Sequence, residues 1–119
     1  MPAYCTALGR VLLAGLNEAD LRQRLLASGV QRNTEHTVTD IDELVDRIGR
    51  VRQQGWSLVD QELEEGLISV AAPIVGRSGR VLAAINISGQ VNRTGVQAVK
   101  ERFLPALLQR ARTISARMA

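Results

Sequence analysis

Three places in this chain hold residues that could do chemistry. The stretch from Trp56 to Gly89 contains three apolar runs, and inside them stand Ser69, Asn86 and Ser88, polar groups in segments that otherwise read as strand. Alternate residues of a strand share a face, so Ser69 aligns with Ala71 and Pro73, and Asn86 with Ser88. Such a small and polar sheet face can cradle a small molecule, or it can pack a helix with its Ser and Asn bonded to backbone; both readings stand. The second place is Cys5-Thr6-Ala7-Leu8, which reads as the first turn of a helix. Free amides there, helped by the helix dipole, favour an anion such as a carboxylate. The bland alternative is that Thr6 only caps and Cys5 only packs. The third place is the acidic group Asp60, Glu62, Glu64 and Glu65 beside Gly66. Paired carboxylates can act as acid and base, whereas a connecting loop would simply solvate them. Asp60 or Glu62 could instead turn inward and bond a ligand hydroxyl or a backbone amide.

No catalytic constellation joins these places. There is one His and one Cys, and His36 lies in a polar loop far in sequence from Cys5. Nucleophile-elbow, phosphate-loop and dinucleotide motifs are absent, as is metal-ligand spacing. An enzyme is not expected, nor a metal or cofactor. The one enzymatic alternative, Cys5 as nucleophile, requires a depressed thiol pKa.

At 119 residues the chain is at most one domain, and with 3% aromatics its core must be aliphatic. The single cysteine cannot form an internal disulfide, which together with the missing signal-peptide pattern suggests a reduced cytoplasmic setting. No apolar run is long enough for a membrane span. Net charge is +3, and fourteen of the fifteen basic residues are arginines interspersed with acids. That pattern reads as a solvated surface more than a nucleic-acid interface, which would show a basic block or an aromatic platform.

The elements that must position these residues follow from periodicity and caps. A short helix is predicted over Tyr4–Leu16, capped by Thr6, with Leu8, Val11 and Leu12 on its apolar face. Asn17 caps a second helix, striped by Leu21, Leu25 and Leu26 and ended by Gly29. Val30–Val38 reads as a loop. Thr39 caps a third helix that ends at Gly55, and Gly49 within it suggests close packing. Strands are expected at Trp56–Asp60, Leu67–Val75 and Val81–Ser88. The last two are joined by the Gly76–Gly79 turn, and Pro73 marks an edge, bulge or kink. A last helix runs over 95–117 with Val96, Val99, Phe103, Leu107, Ala111, Ile114 and Met118 on one face, kinked or restarted at Pro105. The fold class is α+β. The helices available do not suffice to cover both faces of the sheet, and at least one apolar edge stays bare, inviting another chain. The chain therefore reads as a piece of a larger domain whose first strands precede Met1.

Pro2-Ala3-Tyr4-Cys5-Thr6-Ala7-Leu8-Gly9-Arg10-Val11-Leu12-Leu13-Ala14 resembles a signature of the IclR family of bacterial transcriptional regulators. So do Asp60-x-Glu62 followed by Gly66, Ser69 to Ile74, and Ala83 to Gly89. The resemblance covers nearly the whole chain in order, and Leu58 to Glu64 resembles the Pca/Pob-type subgroup, whose members regulate protocatechuate, 4-hydroxybenzoate and β-ketoadipate catabolism. It implies the C-terminal effector-binding domain, a GAF-like fold with an antiparallel sheet and flanking helices. It further implies that residues 1–119 lack the first strands of that domain and the winged helix-turn-helix, so DNA is contacted only through a part absent here. In such domains small organic acids bind where the first helix turn meets the sheet. The positions carried over are Cys5, Thr6, Ala7 and Leu8 with Ser69, Asn86 and Ser88. The acidic position of some members is Val59 here, with Asp60 next to it, a departure that favours a more apolar or aromatic ligand.

Two functional readings result. In one, a small carboxylate or aromatic acid docks between the Cys5–Leu8 turn and the sheet and shifts a homodimer or homotetramer between arrangements. In the other, the chain is an assembly module that acts through its sheet edge and last helix.

Overall fold

A computed structural model describes residues 2–90 and 95–118, without the side chain of Met118. A single 3-10 turn, Ala3–Cys5, leads into α1, Ala7–Leu13, so the predicted first helix is shorter and broken at Thr6. Thr6 is extended, and its hydroxyl accepts from the amide of Gly9 at 3.0 Å. Helix α2, Glu18–Ser28, is capped by Asn17 and ends at Gly29 in the left-handed region, φ 68. Helix α3 covers Ile41–Gln54 and ends at Gly55. Its cap is Asp40, not Thr39. The Asp40 carboxylate accepts from the amide of Glu43 at 3.1 Å, and the helix starts one residue later than the acid-rich turn suggests.

Strands β1, Ser57–Asp60, β2, Leu67–Val75, and β3, Val81–Gln90, form an antiparallel sheet in the order β1-β2-β3. Ser57 pairs with Ala71 and Asp60 with Ile68; on the other side of β2, Leu67 pairs with Gln90 and Pro73 with Ala84. Pro73 lies past the end of β1, where among the described residues β2 has only β3 beside it, so its missing N–H leaves no bond to β1 unmade. A bulge follows at Ile74/Val75.

Helices pack on both faces of the sheet, contrary to the expectation that too few were available. One core gathers α1, α2 and α3 with Val59 and Ala71; the other joins Ile68, Val70 and Ala72 to Val99, Leu107 and Ala111. Strand β2 is therefore buried from both sides, with Val70, Ala71 and Ala72 all at 0% exposure.

The last helical stretch consists of one turn, α4, Val96–Ala98, a π-helical segment, Val99–Phe103, and α5, Leu104–Met118. Pro105 cannot return a hydrogen bond to the carbonyl of Glu101, and the wide turn just before it absorbs that loss. The π segment adds a residue to the turn, so the buried face passes from Val99 to Leu104, and Phe103 is turned out. Leu107 and Ala111 then resume the 3.6-residue spacing. Leu12 and Leu26, both expected on apolar faces, are exposed as well.

Two glycines sit in opposite surroundings. A Cβ on Gly9 would lie 2.6 Å from the carbonyl oxygen of Ala3, because α1 is pressed against the turn before it. A Cβ on Gly49 would meet nothing within 4 Å, so that residue marks no close packing. Gly49→Ala is expected to raise unfolding stability by up to about 1 kcal/mol. Gly9→Ala should lower it by about 1–3 kcal/mol. Urea unfolding of both variants checks the pair, and equal shifts would contradict the packing described.

Candidate functional site

A cavity of about 480 Å³ lies between the start of α1 and the sheet face that α1 covers. Strand alternation places its floor. Val59, Ser69, Asn86 and Ser88 point to this face, and the register sets Ser69 directly opposite Ser88, with Val59 on its other side. The hydroxyls of Ser69 and Ser88 are 2.9 Å apart, and the Asn86 amide donates to Ser88 Oγ at 3.3 Å. Ala3, Cys5, Thr6, Ala7 and Leu8 form the facing wall, while Leu12, Leu63 and Leu67 close the sides. The cavity is thus an apolar cup with one polar patch. Asn86 and Ser88 are exposed, so the patch lies at its open side.

Of the eight positions marked in the sequence, seven come together here: Cys5, Thr6, Ala7, Leu8, Ser69, Asn86 and Ser88. Asp60 does not. It follows Val59 on β1 and therefore points to the opposite face, where its carboxylate accepts from the side-chain amide of Gln61 at 3.3 Å. Ala71 is buried beneath α1, and Pro73 lines a separate hollow near the β2–β3 turn, so only the Ser69 end of that face is open to a ligand.

Glu62, of the acidic group, does turn inward, but onto protein. Its carboxylate takes two hydrogen bonds from Arg10, at 3.0 and 2.6 Å, and a third from the amide of Val38 at 3.2 Å. Arg10 also donates through Nε to the carbonyl of Tyr4 at 2.7 Å. The two side chains are only 3% and 6% exposed. The sequence reading missed this pair. Its one signal was an arginine on the side of α1 that carries Ala7, Val11 and Ala14, the helix's buried side.

His36 and Cys5 are not brought together. His36 is exposed and sits 3.6 Å from Glu35. Cys5 is fully buried, its thiol 3.8 Å from the carbonyl of Pro2 and accepting from Asn33 at 3.5 Å. Burial pushes the thiol pKa up; Arg10 pulls it down, Glu62 adds to the rise, and the Asn33 hydrogen bond opposes it. A raised pKa is the reverse of what a nucleophilic cysteine needs. No group of His, Cys, Asp and Glu among the described residues could hold a metal ion.

The α+β domain thus carries an open, mostly apolar cup beside a helix start. Residues 1–116 match the family described as bacterial transcriptional regulator IclR C-terminal, and the chain belongs to that family. It is 46% identical over 114 residues to the Pca regulon regulatory protein of Pseudomonas putida, covering 96% of this chain and 39% of that protein. Among solved structures it resembles a double mutant of the PobR inducer-binding domain from Acinetobacter in complex with 3-hydroxybenzoic acid. That match has a TM-score of 0.92 and 31% identity, and covers 97% of this chain and 66% of that one. The C-terminal domain of Escherichia coli KdgR is similar too, with a TM-score of 0.88 and 37% identity over 98% of this chain and 71% of that one. The chain therefore spans well under half of the Pseudomonas regulator. These relatives are transcriptional regulators, not enzymes. No helix of the described residues is long and apolar enough to cross a membrane.

The thiol supplies a pH test. Above the ordinary thiol value, the unfolded chain loses the Cys5 proton while the folded chain keeps it. Stability contributed by the buried neutral thiol is then lost as pH rises. Cys5→Ala should flatten the alkaline side of the stability–pH curve, and native Cys5 should react with iodoacetamide far more slowly at neutral pH than in urea. Equal alkylation rates would contradict the burial.

Proposed function

We propose that this chain is the ligand-sensing part of a bacterial IclR-type regulator. It binds a small organic or aromatic acid, of the kind met in β-ketoadipate-pathway catabolism, and so controls DNA binding by the whole protein. The observation that carries this reading is the cup of about 480 Å³ with its three polar side chains gathered at one end. A ligand carboxylate there takes the hydroxyls of Ser69 and Ser88 and the amide of Asn86, with Ala7 and Leu8 on the facing wall. The ring or chain of the acid lies against Leu8, Leu12, Val59 and Leu63. Cys5 and Thr6 shape the wall, and Asp60 drops out of the contact set. The complex of the PobR domain with an aromatic acid supports the ligand class. In this reading DNA is contacted by another part of the whole regulator, and the setting is the cytoplasm. Binding acts by favouring one oligomer arrangement over another, which requires only that the acid fit the two unequally.

A thermal-shift panel of protocatechuate, 3- and 4-hydroxybenzoate, β-ketoadipate, pyruvate and glyoxylate tests this. An acid at about 100 times its dissociation constant adds about 2.7 kcal/mol to stability. One or more acids should raise the melting temperature, and Ser88→Leu should abolish the shift while remaining folded. A shift that survives in folded Ser69→Leu and Ser88→Leu would place the ligand elsewhere.

The sheet edge favours a second reading, that the chain serves assembly. Strand β3 runs ten residues with β2 as its one partner among the described residues, and Leu82 and Ile87 are 48% and 37% exposed. Unpaired apolar edges recruit further strands. Sedimentation equilibrium should then find dimers or tetramers whether or not acid is present. A monomer at high micromolar concentration would count against this reading.

A further inference from the structure

Three wall segments of the cavity converge behind it on two charged side chains that do not line it. Arg10 stands one turn beyond Thr6, Ala7 and Leu8 on the same helix. Its Nε donates to the carbonyl of Tyr4 at 2.7 Å, inside the turn that supplies Ala3 and Cys5 to the wall. Its terminal nitrogens grip Glu62 at 3.0 and 2.6 Å, and the next residue, Leu63, is wall again. The β1–β2 connection needs such a grip, because Gln61 is held at φ 60, a conformation uncommon outside glycine. Thr34 donates to the Gln61 carbonyl at 2.6 Å, and Thr37 donates to that of Glu62. Asn33, from the same loop, reaches back to Tyr4 Oη at 3.2 Å and to Cys5.

From this geometry we infer that Arg10 and Glu62 are the positioning residues of the cavity. They hold the first turn of α1 and the Leu63 loop at the spacing and angle a ligand requires, without touching the ligand. The inference rests on the reading of the cavity as the effector site. A guanidinium meeting a carboxylate through two parallel bonds fixes orientation as well as distance. An apolar pair of similar volume can replace a buried ion pair without loss of stability, yet it fixes no angle. A purely structural role would survive that replacement, and a positioning role would not.

The test compares wild type with the double variant Arg10→Met/Glu62→Leu and with Arg10→Lys. The measurements are melting temperature, amide exchange over residues 3–9 and 61–66, and calorimetric affinity for 3-hydroxybenzoate and any other acid that shifts the wild type. The folded double variant is expected to exchange faster in both segments and to bind about tenfold more weakly, the lower end of what losing the hydrogen-bond partners of metal-ligating side chains costs. Arg10→Lys keeps the charge but not the fork, and should also bind more weakly. A folded double variant with wild-type exchange and affinity within about twofold would overturn the inference. If the double variant does not fold, the same wild-type behaviour in Arg10→Lys overturns it. Should the wild type bind none of the acids, the effector reading fails, and exchange alone decides whether the pair positions these segments.

Discussion

Two opposite charges taken almost wholly out of water hold this domain's irregular parts together. Arg10 and Glu62 lie 52 residues apart in sequence. Each is satisfied beyond the other, Arg10 by the Tyr4 carbonyl and Glu62 by the Val38 amide. Removing one member of such a pair strands the other and costs about 3–5 kcal/mol. The chain has no regular structure between α2 and α3 or between β1 and β2, and those are the segments whose polar backbone the pair and its threonine neighbours satisfy. Helix α1, at seven residues too short to persist alone, is seated by the same contact.

The cup owes its mixed character to simple strand geometry. Adjacent residues on β2 face opposite layers, so Ser69 can open to a ligand while Ile68 and Val70 on either side are sealed beneath α5. Pairing across to β3 then brings Ser88 level with Ser69, and the two hydroxyls bond each other. The patch is open to solvent, and the pair can exchange its partner for a carboxylate.

Local chemistry was legible in the sequence and long-range chemistry was not. Thr6 and Asn17 cap their helices, Gly29 and Gly55 end theirs, and the strand positions hold to within two residues, because each depends on neighbours a few positions away. Thr39 failed as a cap because Asp40, an equally good acceptor, stood beside it. Phe103 failed as core because a π turn, which leaves no mark in apolar periodicity, shifted the face by one residue. Asp60 stands outside the cup by parity alone, since the residue before it faces the cavity. The inward turn of Glu62 was one of the open sequence readings, and it does take a backbone amide, that of Val38; its pairing with Arg10 was not legible, because the two lie 52 residues apart and meet only when the fold closes. The grouping of seven site positions came from resemblance to a family, and strand parity supplies the physical reason for the sheet part of it.

Strand β3 gives the cavity an uneven backing. One long side of the strand pairs with β2, and its register ends in a bulge at the hairpin. Ser88 borders the cup on one face and a smaller hollow beside Phe103 on the other, a hollow that exists because the π turn swings that ring outward. Ser88 is thus backed by open space, whereas the side of the cup carrying Thr6 and Leu8 is braced by the Arg10–Glu62 pair.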